Sequence, residues 1–170
     1  MRLFNQTKTP ESIKDQIGRL LTEDNLRFSI VRDNEKQLTF NLGMALSSGN
    51  LDSYIDVQNE QGIVEVLTFS PVNIPENKRE EIVRFFNLIS QAIYFGHFEL
   101  NVETGQIRVK TYLIYSMDHS LPDENIKHCF YGNLNLMDRY FHGVLQIVYG
   151  NISAQRAMEL IHNEVDPRLN

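Results

Sequence analysis

Hydrophobic periodicity divides the chain into stretches of period two and stretches of period near 3.6, and the change from one to the other is sharpest between Phe85 and Tyr115. Phe85-Phe86-Asn87-Leu88-Ile89 ends an apolar helical pattern that runs through Gly96 into Phe98, Leu100 and Val102, which alternate with Glu99 and Asn101. That alternation puts apolar side chains on one face of a strand and polar ones on the other. Glu103-Thr104-Gly105 supplies the reversal, with Gly105 free to take the positive φ of a short bulged loop. On the return strand Ile107, Val109, Thr111, Leu113 and Tyr115 form the expected core face, leaving Arg108, Lys110, Tyr112 and Ile114 opposite. Two cations followed by two large apolar residues make a mixed surface, suited either to solvent or to a partner.

The remaining pattern reads as cover for this unit. Thr9 as N-cap and Pro10 in the first helical position open a helix whose buried stripe is Ile13, Ile17, Leu20 and Leu21. Phe28 to Arg32 and Leu38 to Leu42 alternate around a turn at Asp33-Asn34-Glu35-Lys36, with Gly43 to Leu46 extending the return strand to a turn at Ser47-Ser48-Gly49-Asn50. Ser53 to Gln58 and Ile63 to Phe69 make the next pair, and Ile63-Val64-Glu65-Val66-Leu67, apolar on both sides, belongs near the middle of the sheet. Ser70 to Pro75 is expected to break the sheet. Pro75 then opens a helix with Glu76, Glu80 and Glu81 at its positive end and with Ile82, Phe85, Phe86, Ile89, Ala92 and Ile93 on the face toward the sheet.

After a loop at Asp118 to Leu121, Pro122 begins the longest helical pattern, with Ile126, Phe130, Leu134, Met137, Phe141, Leu145 and Val148 as its stripe. Unbroken, that helix is about 40 Å long at ~1.5 Å per residue. Gly132 and Gly143 inside it mark either close packing or a local break. Gly150 is the expected terminator, and Ser153 caps a last helix through Ala154, Ala157, Leu160 and Ile161 before a polar tail from Asn163 to Asn170. The expected organisation is one α+β domain over residues 1–170 with its core at 9–162.

Composition narrows the function classes. The 170 residues carry 42% hydrophobic residues, enough for a single core. A net charge of -6 and a pI of about 5.3, with no basic run, argue against nucleic acid, whose phosphates call for clustered Lys and Arg. Cys129 is the one cysteine, so no intrachain disulfide or cysteine-based zinc site forms. The N-terminal residues turn polar too early for a signal peptide and no run is long enough to span a bilayer, so a soluble, cytoplasmic protein is expected.

The search for chemistry returns no catalytic residue, metal site or cofactor motif. There is no Gly-x-Ser-x-Gly, phosphate-binding glycine loop or His-Glu-x-x-His. His97, His119, His128, His142 and His162 are scattered over different expected elements, and the two that share a helix, His128 and His142, stand roughly 21 Å apart. Glu159 and His162 have the Glu-x-x-His spacing of di-metal sites without its second copy. Cys129 lies beside the apolar stripe of its helix, where a free cysteine acts as a small buried hydrophobe rather than a nucleophile paired with His128. Asp138 and Arg139 read as a solvated or ion-paired face, with Tyr140 beside the packed edge, and the sequons at Asn5 and Asn151 have no use in a cytoplasmic protein.

Pro75, Arg79, the Phe86-Asn87 step, Gly96-x-Phe98, the Glu103 to Ile107 turn, Asp138-x-Tyr140 and Val148-x-Gly150-x-x-Ser153-x-x-x-Ala157 resemble the YbjN family of bacterial sensory-transduction regulators, over a span from about Ser53 to Ile161. The resemblance implies a type III secretion chaperone-like fold, with helix, three strands, helix, two strands and helix forming one curved antiparallel sheet backed by helices. The residues themselves give four strands in the first half, hence the order α-β-β-β(-β)-α-β-β-α-α. The resemblance further implies a homodimer, since members of that fold group commonly form dimers that hold a segment of another protein. The dimer seam is expected on the long helix or on the Tyr112 and Ile114 face, with Arg108, Lys110, Tyr112, Ile114, Arg139 and Tyr140 as the expected surface for the dimer or an unknown protein partner. A non-enzymatic binding module of regulatory or chaperone type, with no cofactor, nucleic acid or membrane partner, is the leading expectation. The alternative is a small-molecule sensor or enzyme with a pocket between the sheet and the Ile82 to Ile93 helix, motivated by 10 Phe and 7 Tyr.

Overall fold

A computed structural model describes residues 11–47, 49–116 and 121–165. The chain runs α1 (Ile13–Glu23), β1 (Ser29–Asp33), β2 (Gln37–Leu46), β3 (Gly49–Gln58), β4 (Ile63–Asn73), α2 (Arg79–Ala92), β5 (His97–Leu100), β6 (Gln106–Ile114), α3 (Asp123–Val148) and α4 (Ala154–Val165). The strands form one antiparallel sheet in the order β1-β2-β3-β4-β6-β5. Four strands therefore precede α2, as the residue pattern indicates, and β4 lies inside the sheet between β3 and β6, where its double-sided apolar sequence belongs.

The four helices of the described residues lie on one face, because only one set of alternate strand positions is continuously apolar. Leu38, Phe40, Leu42, Ile55, Val57, Val64 and Val66 pack with Ile17, Leu20 and Leu21 of α1 and with Ile126, Phe130 and Leu134 of α3. At the other end of the sheet, Phe98, Ile107 and Val109 pack with Ile82, Phe85, Phe86 and Ile89 of α2, the C-terminal half of α3, and Ala157, Met158 and Ile161 of α4. Asn133 of α3 is fully buried, and its Nδ2 donates to the carbonyl oxygens of Val66 (2.9 Å) and Val109 (3.2 Å), tying the helix to both β4 and β6.

Several boundaries differ from the sequence expectation. α1 begins at Ile13, not near Thr9: Ser12 is its N-cap, with Oγ accepting from the Asp15 amide at 3.1 Å, and Thr9 and Pro10 lie outside the described residues. β4 continues past Ser70 to Asn73, since the register shift between Phe69 and Asn73 accommodates Pro71, whose missing N–H leaves no ladder bond unmade. Val102 belongs to the turn and is 65% exposed, because Asn101 Oδ1 accepts from the Glu103 and Thr104 amides and curls the backbone out of β5. Gly105 takes φ 77°, and a Cβ there would stand 2.2 Å from the Ile74 carbonyl oxygen.

α3 is unbroken over 26 residues, so its two glycines mark packing and not a break. A Cβ on Gly132 would meet the Phe95 ring at 2.5 Å, and one on Gly143 the Phe85 ring at 2.5 Å. The helix ends at Tyr149, and Asn151, not Gly150, takes the left-handed conformation with φ 54°. Ser153 caps α4, its Oγ accepting from the Arg156 amide, while Glu81 of α2 accepts from the Ala154 amide at 2.6 Å. α4 reaches Val165, so part of the expected polar tail is helical, and 166–170 lie outside the described residues, as do Ser48 and the 118–120 part of the expected loop, including His119.

Candidate functional site

Among the described residues the helices leave the second face of the sheet uncovered, and the register shows which residues share it. One row across the strands reads Thr39, Asp56, Glu65, Tyr112; the next Asn41, Tyr54, Leu67, Lys110, His97; the next Gly43, Asp52, Phe69, Arg108, Glu99. Gln37, Gln58, Ile63 and Ile114 close the face at one end. These are the alternates of the core-facing residues, so the period of two that builds the core also builds this surface.

Arg108, Lys110, Tyr112 and Ile114 stand together here on β6. Tyr112 is 55% exposed and Ile114 70%, an apolar corner facing solvent. The two cations are neutralised by neighbouring strands: Lys110 Nζ lies 2.6 Å from Glu65 Oε1, and Arg108 Nε donates to Glu99 Oε2, whose other oxygen lies 2.9 Å from His97 Nε2. Burial pushes the Glu99 carboxyl upward, but the hydrogen bonds from Arg108 and His97 outweigh it and hold the group below the usual range.

The two remaining expected surface residues lie on the opposite side of the sheet. Tyr140 is 1% exposed and sits in the core with its ring edge-on to Phe98 at 6.0 Å, so it forms no part of a partner surface. The stripe expected for α3 was too narrow: α1 and the sheet pack on its first half, while the sheet, α2 and α4 wrap its second half and bury Tyr140 along with Leu136 and Val144. Arg139 is exposed on the outer side of α3, its guanidinium 5.3 Å from the Tyr140 ring centre, and Asp138 accepts a hydrogen bond from Ser47 Oγ at 2.6 Å.

A groove of about 650 Å³ crosses the open face, lined by Val31 and Arg32 of β1, Gln37 and Thr39 of β2, Asp52, Tyr54 and Asp56 of β3, and Leu67 and Phe69 of β4. Tyr54 and Phe69 meet edge to face at 5.7 Å and 87°. Asp56 is only 6% exposed, and its carboxylate accepts from Thr39 Oγ1 at 2.6 Å, Gln37 Nε2 at 2.7 and 2.6 Å, and Gln58 Nε2 at 2.8 Å. Sequence reasoning missed this groove, although a signal was present: Asp52-x-Tyr54-x-Asp56 alternates in phase with Leu67-x-Phe69, and pairing the two strands puts them side by side.

The space between α2 and the sheet is filled with side chains. Phe86 stacks on Phe98 at 5.0 Å and Phe85 lies 6.4 Å from Phe86, both α2 rings being buried. Cys129 is buried, and that burial pushes its thiol up despite a hydrogen bond to Thr111 Oγ1 at 3.4 Å. Among the described residues no group of three or more His, Cys, Asp or Glu side chains is placed to hold a metal ion, and no helix is long and apolar enough to cross a membrane.

The family model for YbjN, described as "Putative bacterial sensory transduction regulator", matches residues 14–146. No curated protein matches the chain in sequence. Among solved structures, the crystal structure of the ExsC-ExsE complex is similar over 76% of this chain and 94% of that chain, at 12% sequence identity and a TM-score of 0.41.

Proposed function

The chain belongs to the YbjN family, and on that premise we propose that it is a non-enzymatic, dimeric protein-binding module of regulatory or chaperone type working in the cytoplasm. The observation that carries the reading is the bare face of the sheet, where Tyr112 and Ile114 project from β6 beyond the end of its pairing with β5, beside the paired Lys110 and Arg108. An apolar corner framed by charges that already have partners has the composition of an interface centre and rim: the apolar atoms gain from leaving water, and little charge is stranded when they do. Arg139, on the other side of the sheet, lies outside this surface.

Light scattering on the purified chain tests the proposal. The expected mass is twice 19.8 kDa for the native chain and 19.8 kDa for Ile114→Asp, with the melting temperature of the variant unchanged in the monomer limit. A native chain at the monomer mass at every concentration overturns the dimer. A native dimer that Ile114→Asp leaves intact moves the seam away from this face.

A further inference from the structure

We propose that the groove over Tyr54 and Phe69 seats a lysine or arginine side chain of a protein partner, together with an aliphatic side chain two residues along the same segment. The inference rests on the protein-binding reading and names the chemistry of what binds. Asp52, Tyr54 and Asp56 stand in a row on one face of β3, about 6.6 Å between neighbours at ~3.3 Å per residue, so the two carboxylates are about 13 Å apart. At that separation they cannot share one metal ion, whose oxygen ligands sit at about 2.0–2.6 Å.

Their environments give them different roles. Asp56 is sunk in the floor with its oxygens occupied by Gln37, Thr39 and Gln58, and serves to hold those side chains still. Asp52 is exposed, and among the described residues no side chain pairs with it. Directly across the strands from Asp52 is Phe69, and across from Tyr54 is Leu67. A long methylene stem can therefore lie on the Phe69 and Tyr54 rings while its charged head meets the Asp52 carboxylate. Phe69 already receives one cation from its other side, with the Arg108 guanidinium carbon 6.0 Å from the ring centre.

Direction follows from the other rim. Arg32 is held there by Gln37, and its charge repels a basic group from that end and turns it toward Asp52. The net charge of -6 favours approach of a basic segment as a whole. In an extended segment, alternate side chains on one face are about 6.6 Å apart, matching the step from Asp52 to Tyr54, so the residue two along from the basic one falls over Tyr54 and Leu67.

Amide chemical shifts of the ¹⁵N-labelled full chain provide the test, with two probes: the capped peptide Ser-Lys-Ser-Leu-Ser and its counterpart with Glu in place of Lys. The lysine peptide is expected to shift the Asp52, Tyr54, Leu67 and Phe69 amides saturably, and the glutamate peptide to bind about tenfold or more weakly, some 1.4 kcal/mol by the usual conversion. Asp52→Asn, at an exposed position, is expected to lower affinity for the lysine peptide about fivefold at low salt with an unchanged melting temperature. Equal binding of both peptides on the open face, or indifference to Asp52→Asn, overturns the charge assignment and leaves the protein-binding reading standing. Absence of shifts on this face with either peptide overturns the inference, and the broader reading is then decided by the mass of Ile114→Asp.

Discussion

One methyl group distinguishes the two glycines of α3. Alanine at either position gains about 1 kcal/mol of helix propensity, and the neighbour it strikes decides the sign. At Gly143 the new Cβ lies 2.5 Å from Phe85 Cζ and 2.9 Å from Ile161 Cδ1, both in the closed core, where overpacking costs about 1–3 kcal/mol. At Gly132 it meets Phe95, which is 38% exposed and has room to swing outward. Urea unfolding is therefore expected to show Gly143→Ala destabilised by about 1 kcal/mol and Gly132→Ala near neutral. Asn133 is more sensitive still, since its amide nitrogen faces carbonyl oxygens of two strands and only a donor fits there. Asn133→Asp turns that donor into a buried, unpaired carboxylate, with an expected loss on the order of 3 kcal/mol at neutral pH that shrinks in acid as the carboxyl takes a proton.

α1 is tied to α3 by a polar seam as well as by apolar contact. Tyr131 donates to Asp24 at 2.6 Å and Lys127 to the same carboxylate at 2.9 Å, while Arg19 and Gln16 bind Asp123 at 3.1 and 2.7 Å. Tyr131 and Lys127 depress the Asp24 carboxyl, and Arg19 and Gln16 depress that of Asp123. A folded value below the unfolded one means the contribution is complete above about pH 4 and is lost as pH falls through the depressed values. Burial and the Asp24 carboxylate push the Tyr131 phenol up to about 12, so its share is complete below about pH 10 and disappears as pH rises through 12. Tyr131→Phe is expected to cost about 1 kcal/mol at pH 7 and to flatten both limbs of the stability profile, checked by denaturant unfolding across pH. None of this seam was legible in the sequence. Period-two and helical spacing reveal a residue's own element and face, which is why the strands, the core face of β6 and the position of β4 could be read directly. Asp24 and Tyr131 lie far apart in the chain, and pairings at that range carry no periodic signal. The burial of Tyr140 was hidden for the same reason, since it depends on α2, α4 and β5 arriving against the C-terminal half of α3.

At the scale of the whole molecule, the placement of the four described helices on one face leaves the other to the proposed dimer seam, which ties the proposed assembly to stability. A dimer that forms only from folded chains stabilises them by mass action. The melting temperature of the native chain is therefore expected to rise with protein concentration, by an amount corresponding to about 1.4 kcal/mol per tenfold, and that of Ile114→Asp to stay constant. Differential scanning calorimetry over a dilution series separates the two. The strand order has a further consequence for the chain as it is being made. β1 to β4 pair with their sequence neighbours and need only short loops, so they can form as soon as they emerge. Their apolar side, met so far only by α1, then waits for α3, whose last residue follows β4 by on the order of 75 residues, roughly 4–15 s of synthesis at ~5–20 residues per second. During that interval the nascent protein presents a partly covered core face as well as its open one, and it is then, rather than after completion, that aggregation threatens it most.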